Sequence, residues 1–289
     1  MKQRSNEWHK FRKGHIGSSD IAVIMGISQW STIYKLWLDK THDVEEHDNP
    51  AMEYGRRMES TVLEMYNSRT DDPMMPTGTP LVYNKWPIAS VSLDGINIDC
   101  DKICEIKCPR RAVIEMAQNG ELPTYYMAQV QWQLMVTGAK SCDFVVYDSA
   151  INDIIIVNVL PDPIAFATML EAAKEFWEFV QSMQAPERTM KDHEQIESPV
   201  FSSLAKEYIG VDERIKELEL IKKALKEKLL KESDEKPVQG FGLKVSFVSG
   251  RKSVDMASLK AAYMISEEAM KAFQKEGKGY WTINISDAP

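Results

Sequence analysis

Cysteine is scarce in this chain, with four in 289 residues. That excludes a disulfide framework and points to a reducing, intracellular setting. Long apolar runs are missing too. The longest, 21–27 and 154–157, fall far short of the ~20 residues that a membrane span needs, so no membrane association is expected. The opening residues MKQRSNEWHK hold no apolar segment of the signal-peptide kind, and no secretion signal is expected. The five histidines form neither H-x3-H nor H-E-x2-H, which excludes the common zinc-hydrolase patterns. A G-x4-G-K-S/T loop is absent, excluding an ATP-driven helicase, and no G-x-S-x-G elbow is found.

Also absent is an excess of positive charge: 35 Lys+Arg stand against 43 Asp+Glu, a formal net charge of −8. Taken whole, this argues against a polyanionic partner. The distribution argues otherwise. Residues 1–40 hold seven Lys/Arg against three Asp/Glu, a local net of +4, and a nucleic-acid surface needs local charge rather than a basic total.

What is present suits a globular protein. Hydrophobic residues make up 44% and charged residues 27%, which supports a real core and excludes disorder of the whole chain. The length fits one large or two modest domains, with no internal repeat. A polar, irregular stretch at 186–199, PERTMKDHEQIESP, reads as a boundary, giving expected domains at 1–190 and 191–289. In the second, a helix is expected over about 203–235. Ile215, Leu218, Leu225 and Leu229 fall there at heptad-like spacing, and residues 206–236 hold nine Lys/Arg and nine Asp/Glu. It reads either as a solvated helix with one apolar stripe or as a helical hairpin or coiled coil used for contacts. A strand over 240–248, a turn at Ser249-Gly250, a helix over 256–275 capped by Ser253 or Asp255, and a strand over 280–285 complete a small α+β appendage.

In the first part, periodicity predicts helices at 18–25, 32–40, 51–68, 111–118, 123–137 and 163–184. Strands are predicted at 81–84, 89–93, 97–99, 103–108, 143–147 and 154–159. The order predicts an α/β or α+β sandwich with a central sheet.

The most informative stretch is SLDGINIDCDKICEIKCP, residues 92–109. Asp94 precedes Gly95 at the end of an apolar strand, so its carboxylate projects from a turn. On the next strand Glu105 and Lys107 share one face, with Cys104, Ile106 and Cys108 on the other. Two carboxylates and an ammonium thus converge at a hairpin edge. Phosphodiester hydrolysis needs such a set: hard oxygens for Mg²⁺, and a cation to orient or help deprotonate the attacking water. A solvated Glu–Lys pair on a strand would show the same pattern. Glu59 lies on the inward stripe of a helix with Met52, Gly55, Met58 and Val62, where a carboxylate needs a partner or a metal. Tyr126, Gln129, Val130 and Gln133 form another stripe, whose amides can line a groove or satisfy backbone groups.

These residues are similar to the lambda-type phage exonucleases, or YqaJ-type viral recombinases, of the restriction-endonuclease-like nuclease superfamily. The blocks are Glu7-Trp8-His9-Lys10-Phe11-Arg12 with Gly14, Ile16 and Ser18-Ser19; Met52-x-Tyr54-Gly55 through Glu59; Ser92-x-Asp94-Gly95; Glu105-Ile106-Lys107-Cys108-Pro109; and Tyr126-Met127-Ala128-Gln129-Val130-Gln131 through Thr137. The resemblance spans 7 to about 148, with a helix to about 184 fitting the family's closing helix. It implies an α/β, restriction-endonuclease-like core whose central mixed sheet is flanked by helices, followed here by a C-terminal helical and α+β appendage without counterpart in the short phage enzymes. It also implies a Mg²⁺-dependent 5′→3′ exonuclease on double-stranded DNA ends, with Mn²⁺ as a substitute, that leaves 3′ single-stranded tails for a recombinase. Asp94, Glu105 and the Ile106 carbonyl would hold metal, Lys107 would be catalytic, Glu59 would stand near a second metal, and Gln129 would line the site. Arg12, Ser19 and Ser92 would form a pocket for the 5′-phosphate. A single-strand annealing protein as partner, a homo-oligomer (trimeric by analogy) and a phage or prophage origin in a bacterial cytoplasm are further implications. Two other functions stay open: an endonuclease of the same superfamily, or a DNA-end-binding scaffold that recruits an annealing protein.

Cys100, Cys104 and Cys108 repeat every four residues, about 13 Å apart on an extended strand, whereas an iron–sulfur cluster needs four converging thiolates; they read as core cysteines. Trp8, Trp132 and Trp177 read as core or interface residues, and Trp30 as a surface on which an unpaired base can stack.

Overall fold

The computed structural model describes residues 5–43, 50–193, 198–234, 236–248 and 256–263, with positions 196, 265, 266 and 269. The chain divides into two compact units, Met1–Glu194 and Gln195–Pro289. The first runs α1 (Asn6–Lys13), α2 (Ser18–Ile24), α3 (Ile33–Thr41), α4 (Pro50–Asn67), β1 (Leu81–Tyr83), β2 (Trp86–Val91), β3 (Gly95–Ile96), β4 (Lys102–Lys107), α5 (Arg111–Gln118), α6 (Thr124–Thr137), β5 (Ser141–Asp148), β6 (Asp153–Val159) and α7 (Pro163–Ser182).

β3, β4, β5 and β6 form one sheet in that order. β4 and β5 are parallel, joined by the α5–α6 crossover, while β3–β4 and β5–β6 are antiparallel. The expected α/β class with a central mixed sheet holds. Parallel neighbours are covered on both faces, so β4 and β5 are buried along nearly their whole lengths. Ile103, Phe144 and Val146 meet Ile21 of α2, Trp132 and Leu134 of α6 and Phe176 of α7 on one face. Cys104, Ile106, Val145 and Tyr147 meet Val62, Leu63 and Tyr66 of α4 on the other.

Local signals explain the ends of the helices. Asp162 caps α7, its carboxylate accepting from the Ile164 and Ala165 N–H groups at 2.9 and 3.3 Å, with Pro163 in the first turn. α6 stops at Gly138, whose φ of 72° favours glycine.

Several expectations are corrected. α1 was not expected; the Ser5 hydroxyl caps it by accepting from the Trp8 N–H at 3.2 Å, and none of its residues is buried, so no apolar stripe announces it. The strand expected at 97–99 is a turn, and the pairing falls on Gly95–Ile96. The Asn97 side-chain oxygen accepts from the Asp101 and Lys102 N–H groups at 3.0 Å each, which closes the turn. The inward stripe of α4 starts later than expected: Met52 is exposed, and burial begins at Val62.

The second unit holds α8 (Pro199–Glu232), β7 (Val238–Gly240), β8 (Leu243–Val245) and α9 (Met256–Tyr263). No residue of α8 is buried. The single strand expected at 240–248 is instead the turn and second arm of a hairpin. Phe241 and Gly242, at φ 48° and 78°, form its two-residue loop, the conformation such loops require. The turn expected at Ser249-Gly250 and the strand at 280–285 lie outside the described residues, and the helix expected over 256–275 is found at 256–263 but not at positions 265 and 266. Among the described residues no helix is long and apolar enough to cross a membrane.

Candidate active site

β4 carries the centre of the site. Its alternation turns Glu105 and Lys107 toward α6, while Cys104 and Ile106 pack beneath α4. Glu105 is only 2% exposed. A buried carboxylate must be satisfied, and three side chains do so. Gln129 Nε2 donates to Oε1 at 2.6 Å, Gln133 Nε2 donates to Oε2 at 2.6 Å, and Lys107 Nζ donates to Oε1. Gln129 and Gln133 stand one turn apart on α6, so one helix face presents both amides. Gln133 was placed on that stripe from sequence but was not among the expected site residues. Gln131, on another face, instead satisfies the Leu160 carbonyl and the Asp162 N–H at 2.8 Å each.

Asp94 occupies the bend between β2 and β3, and its Oδ2 accepts from the Ile106 N–H at 2.7 Å. Burial and the Glu105 and Glu59 carboxylates raise its carboxyl well above the usual range, against Lys107 and the Ile106 N–H. Gly95 makes the bend fit: a Cβ there would meet Cys104 Sγ at 2.7 Å and Met74 Cβ at 2.8 Å. Glu59 reaches the group from α4, half-buried, its carboxyl raised by burial and by Glu105. Glu59 and Asp94 line an open cleft of about 460 Å³, with Arg56, Ser60 and Asn67 on its wall. Burial works against the Lys107 ammonium, but Glu105 and Asp94 outweigh it and raise its pKa.

From Lys107 a line of aromatic rings runs outward. Its Nζ lies 5.6 Å from the Tyr126 ring centre. Tyr126 meets Tyr125 edge-on at 4.5 Å, and Tyr125 meets Trp30 edge-on at 4.7 Å. Trp30 is 66% exposed.

The donor set decides which ion suits the site. Asp94, Glu105 and Glu59 and the Ile106 carbonyl are hard oxygens, and three carboxylates face one ammonium. That fits Mg²⁺ or Mn²⁺ rather than a thiolate- or imidazole-bound ion. Among the described residues no three His, Cys, Asp or Glu side chains are grouped tightly enough to enclose an ion by themselves, and Mg²⁺ ordinarily keeps several waters.

The other expected cluster lies at the α1–α2 corner. Ile16 forms a parallel bridge to Ala89 of β2, its N–H donating to the Ile88 carbonyl at 2.8 Å. Arg12 and Ser19 flank Ile16, and Ser92 follows the end of β2. Ser19 and Ser92 are exposed. The corner also holds a pair not expected from sequence. The buried Lys40 ammonium donates to Asp20 Oδ2 at 2.6 Å and to the Arg12 and His15 carbonyls at 2.9 and 2.7 Å. Arg12 Nη2 donates to Asp20 Oδ1 at 3.3 Å. Burial alone would raise the Asp20 carboxyl, but Lys40 and Arg12 outweigh it and hold it below the usual range. Asp20 directly precedes the apolar run 21–27 and Lys40 lies thirteen residues beyond it, so no sequence pattern links the two.

The four thiols are free. The expected core placement holds for Cys104, is met only in part by the half-buried Cys108, and fails for Cys100, which is exposed on the Asn97 turn at φ 57°.

Residues 7–140 match the YqaJ-like viral recombinase domain model. The uncharacterized protein YqaJ of Bacillus subtilis is 28% identical over 137 residues, 47% of this chain and 43% of that protein. Protein D345L of African swine fever virus is 25% identical over 158 residues, 45% of this chain and 44% of that protein. The chain thus spans less than half the length of these relatives. Two crystal structures of LHK-Exo, described as an alkaline exonuclease from Laribacter hongkongensis, share the fold. The complex with dAMP superposes with a TM-score of 0.54 and the other with 0.53; each is 23% identical and covers 62% of this chain and 94% of that chain. On these matches, residues 7–140 are similar to the YqaJ-like viral recombinase domain, and the fold is shared with LHK-Exo.

Proposed function

We propose that the chain is a Mg²⁺-dependent 5′→3′ exonuclease that digests double-stranded DNA ends and leaves 3′ single-stranded tails for recombination. One observation carries the reading: a buried carboxylate, Glu105, gripped by Lys107, Gln129 and Gln133 beside Asp94 at the lip of an open cleft. A buried charge of this kind is weak evidence for stability, and clustered groups of shifted pKa mark functional sites. The solved relative in complex with dAMP, a nucleoside monophosphate of the kind an exonuclease releases, supports the same reading.

Asp94, Glu105 and the Ile106 carbonyl would hold the ion, with Glu59 near a second. Bound Mg²⁺, or Mn²⁺ in its place, polarises a phosphoryl oxygen and lowers the pKa of a water. Lys107 keeps its proton at rest, orients the attacking water and offsets charge growing on the phosphate. Gln129 and Gln133 fix the Glu105 carboxylate, so that it enters the reaction in one orientation. Arg12, with Ser19 and Ser92, takes the 5′-phosphate; a guanidinium forks onto two phosphate oxygens where an ammonium meets one. Trp30 stacks on the base freed at the duplex end. The tails would be substrates for a single-strand annealing protein in the host cytoplasm.

Linear, circular and nicked DNA incubated with Mg²⁺ or EDTA tests the proposal. Mononucleotides should appear from linear DNA only, and EDTA or Lys107→Ala should stop their release. Cutting of the circle would make the chain an endonuclease. End binding without hydrolysis would make it a scaffold.

A further inference from the structure

α8 is a 34-residue helix with no buried residue. Its apolar residues follow a seven-residue repeat with 4–3 spacing. Leu204, Val211, Leu218 and Leu225 occupy one seam position, d, and Tyr208, Ile215 and Leu229 the other, a, with Lys222 filling the fourth a place. The seven apolar ones are each 44–60% exposed. Apolar surface of this extent on a single helix is costly in water unless another surface covers it.

We propose that α8 pairs antiparallel with α8 of a second copy of this chain. Two features of the sequence select this occupant and this direction. Reversed on itself about the midpoint between Ile215 and Leu218, the helix places each a residue against a d residue. Leu204 meets Leu229 of the other copy, Tyr208 meets Leu225, and Ile215 meets Leu218. Lys222 then faces Val211, lays its stem along the seam and carries its ammonium to the edge. A parallel pair would set Lys222 against itself in the core of the seam, which desolvates two like charges.

Charge outside the seam is indifferent to direction. About the same midpoint, residues 199–216 hold three basic and three acidic residues, and residues 217–232, Lys222 apart, hold four of each. At the edges, Glu207 meets Lys228 of the other copy, an attractive pair formed twice. Asp212 meets Glu219, a repulsive one also formed twice, which the Lys216 ammonium 2.8 Å from Asp212 softens. A parallel pair has the same balance at its edges, with Arg214 on Glu219 and Glu207 on Asp212, so Lys222 decides between the two directions.

Light scattering on the full chain, coupled to size exclusion, tests the pairing. The Ile215→Asp/Leu218→Asp variant should show half the mass of the parent and an unchanged helical circular dichroism signal. Equal masses would overturn the proposal. Direction is tested by oxidation in a Cys100→Ser background, which removes the exposed thiol. The Val211→Cys/Lys222→Cys variant should form a covalent dimer while neither single cysteine does. A dimer from Val211→Cys alone would refute the antiparallel arrangement.

Discussion

Replacing Lys40 by Met removes a buried ammonium with little change in shape. Lys40 and Asp20 side chains are each 4% exposed and meet at 2.6 Å. The same ammonium closes the Arg12 and His15 carbonyls, so it fastens α3 to the α1–α2 corner. Breaking one side of a buried pair costs roughly 3–5 kcal/mol, because the remaining charge is stranded. Arg12 still faces Asp20, at 3.3 Å, which keeps the loss toward the lower end. An exposed pair would lose only about 0–1 kcal/mol. We expect Lys40→Met to cost about 3 kcal/mol in urea unfolding followed by tryptophan fluorescence. In a unit of this size that lowers Tm by roughly 6–12 °C. The loss should persist in about 1 M salt, since screening hardly reaches a buried pair. Its pH dependence has a definite sign. The Asp20 carboxyl is held below its ordinary 3.8, so the pair stabilises the fold above that value, and the contribution fades as pH falls through the lowered one. The gap between parent and variant should therefore be full at pH 7 and narrow in acid. A loss under about 1 kcal/mol, or one that grows in acid, would refute the reasoning.

Three other outcomes follow from the same geometry. Gly95→Ala forces a Cβ to within 2.8 Å of Met74 Cβ and Cys104 Sγ; we expect about 1–3 kcal/mol of destabilisation from overpacking, read by urea denaturation. Arg12→Ala should erase the preference for 5′-phosphorylated over 5′-hydroxyl ends in a nuclease assay, and an intact preference would remove Arg12 from the phosphate pocket. Trp30→Ala should weaken binding to duplex ends about 5- to 150-fold, as expected for about 1–3 kcal/mol of base stacking, measured by fluorescence anisotropy.

Much of this architecture is legible where two signals coincide. α7 has both an apolar stripe and the Asp162-Pro163 start; β4 alternates over Glu105-Ile106-Lys107, which puts Glu105 and Lys107 on one side. Legibility fails where a side chain, not a pattern, makes the structure. The Asn97 amide converts an apparent strand into a turn, and Ser5 alone announces α1. Within the site, the stripe holding Tyr126, Gln129 and Gln133 is visible, but the grip of Gln133 on Glu105 depends on how α6 lies across β4. The Asp20–Lys40 pair joins two helices that share no repeat, and single polar residues in apolar stretches do not name their partners.

β4 is paired along its whole length with β5 and at Ile103 and Cys104 with β3. Its amides should therefore exchange hydrogen only in the larger openings of the unit. The corner bearing Arg12 is tied to the same core, by the Ile16–Ala89 bridge to β2, by Ile21 in the apolar core with Phe144 and Trp132, and by the buried Lys40. Heating should therefore melt the corner and the Glu105 centre in one transition. The capacity to recognise a DNA end and the capacity to cut would be lost together, not in sequence.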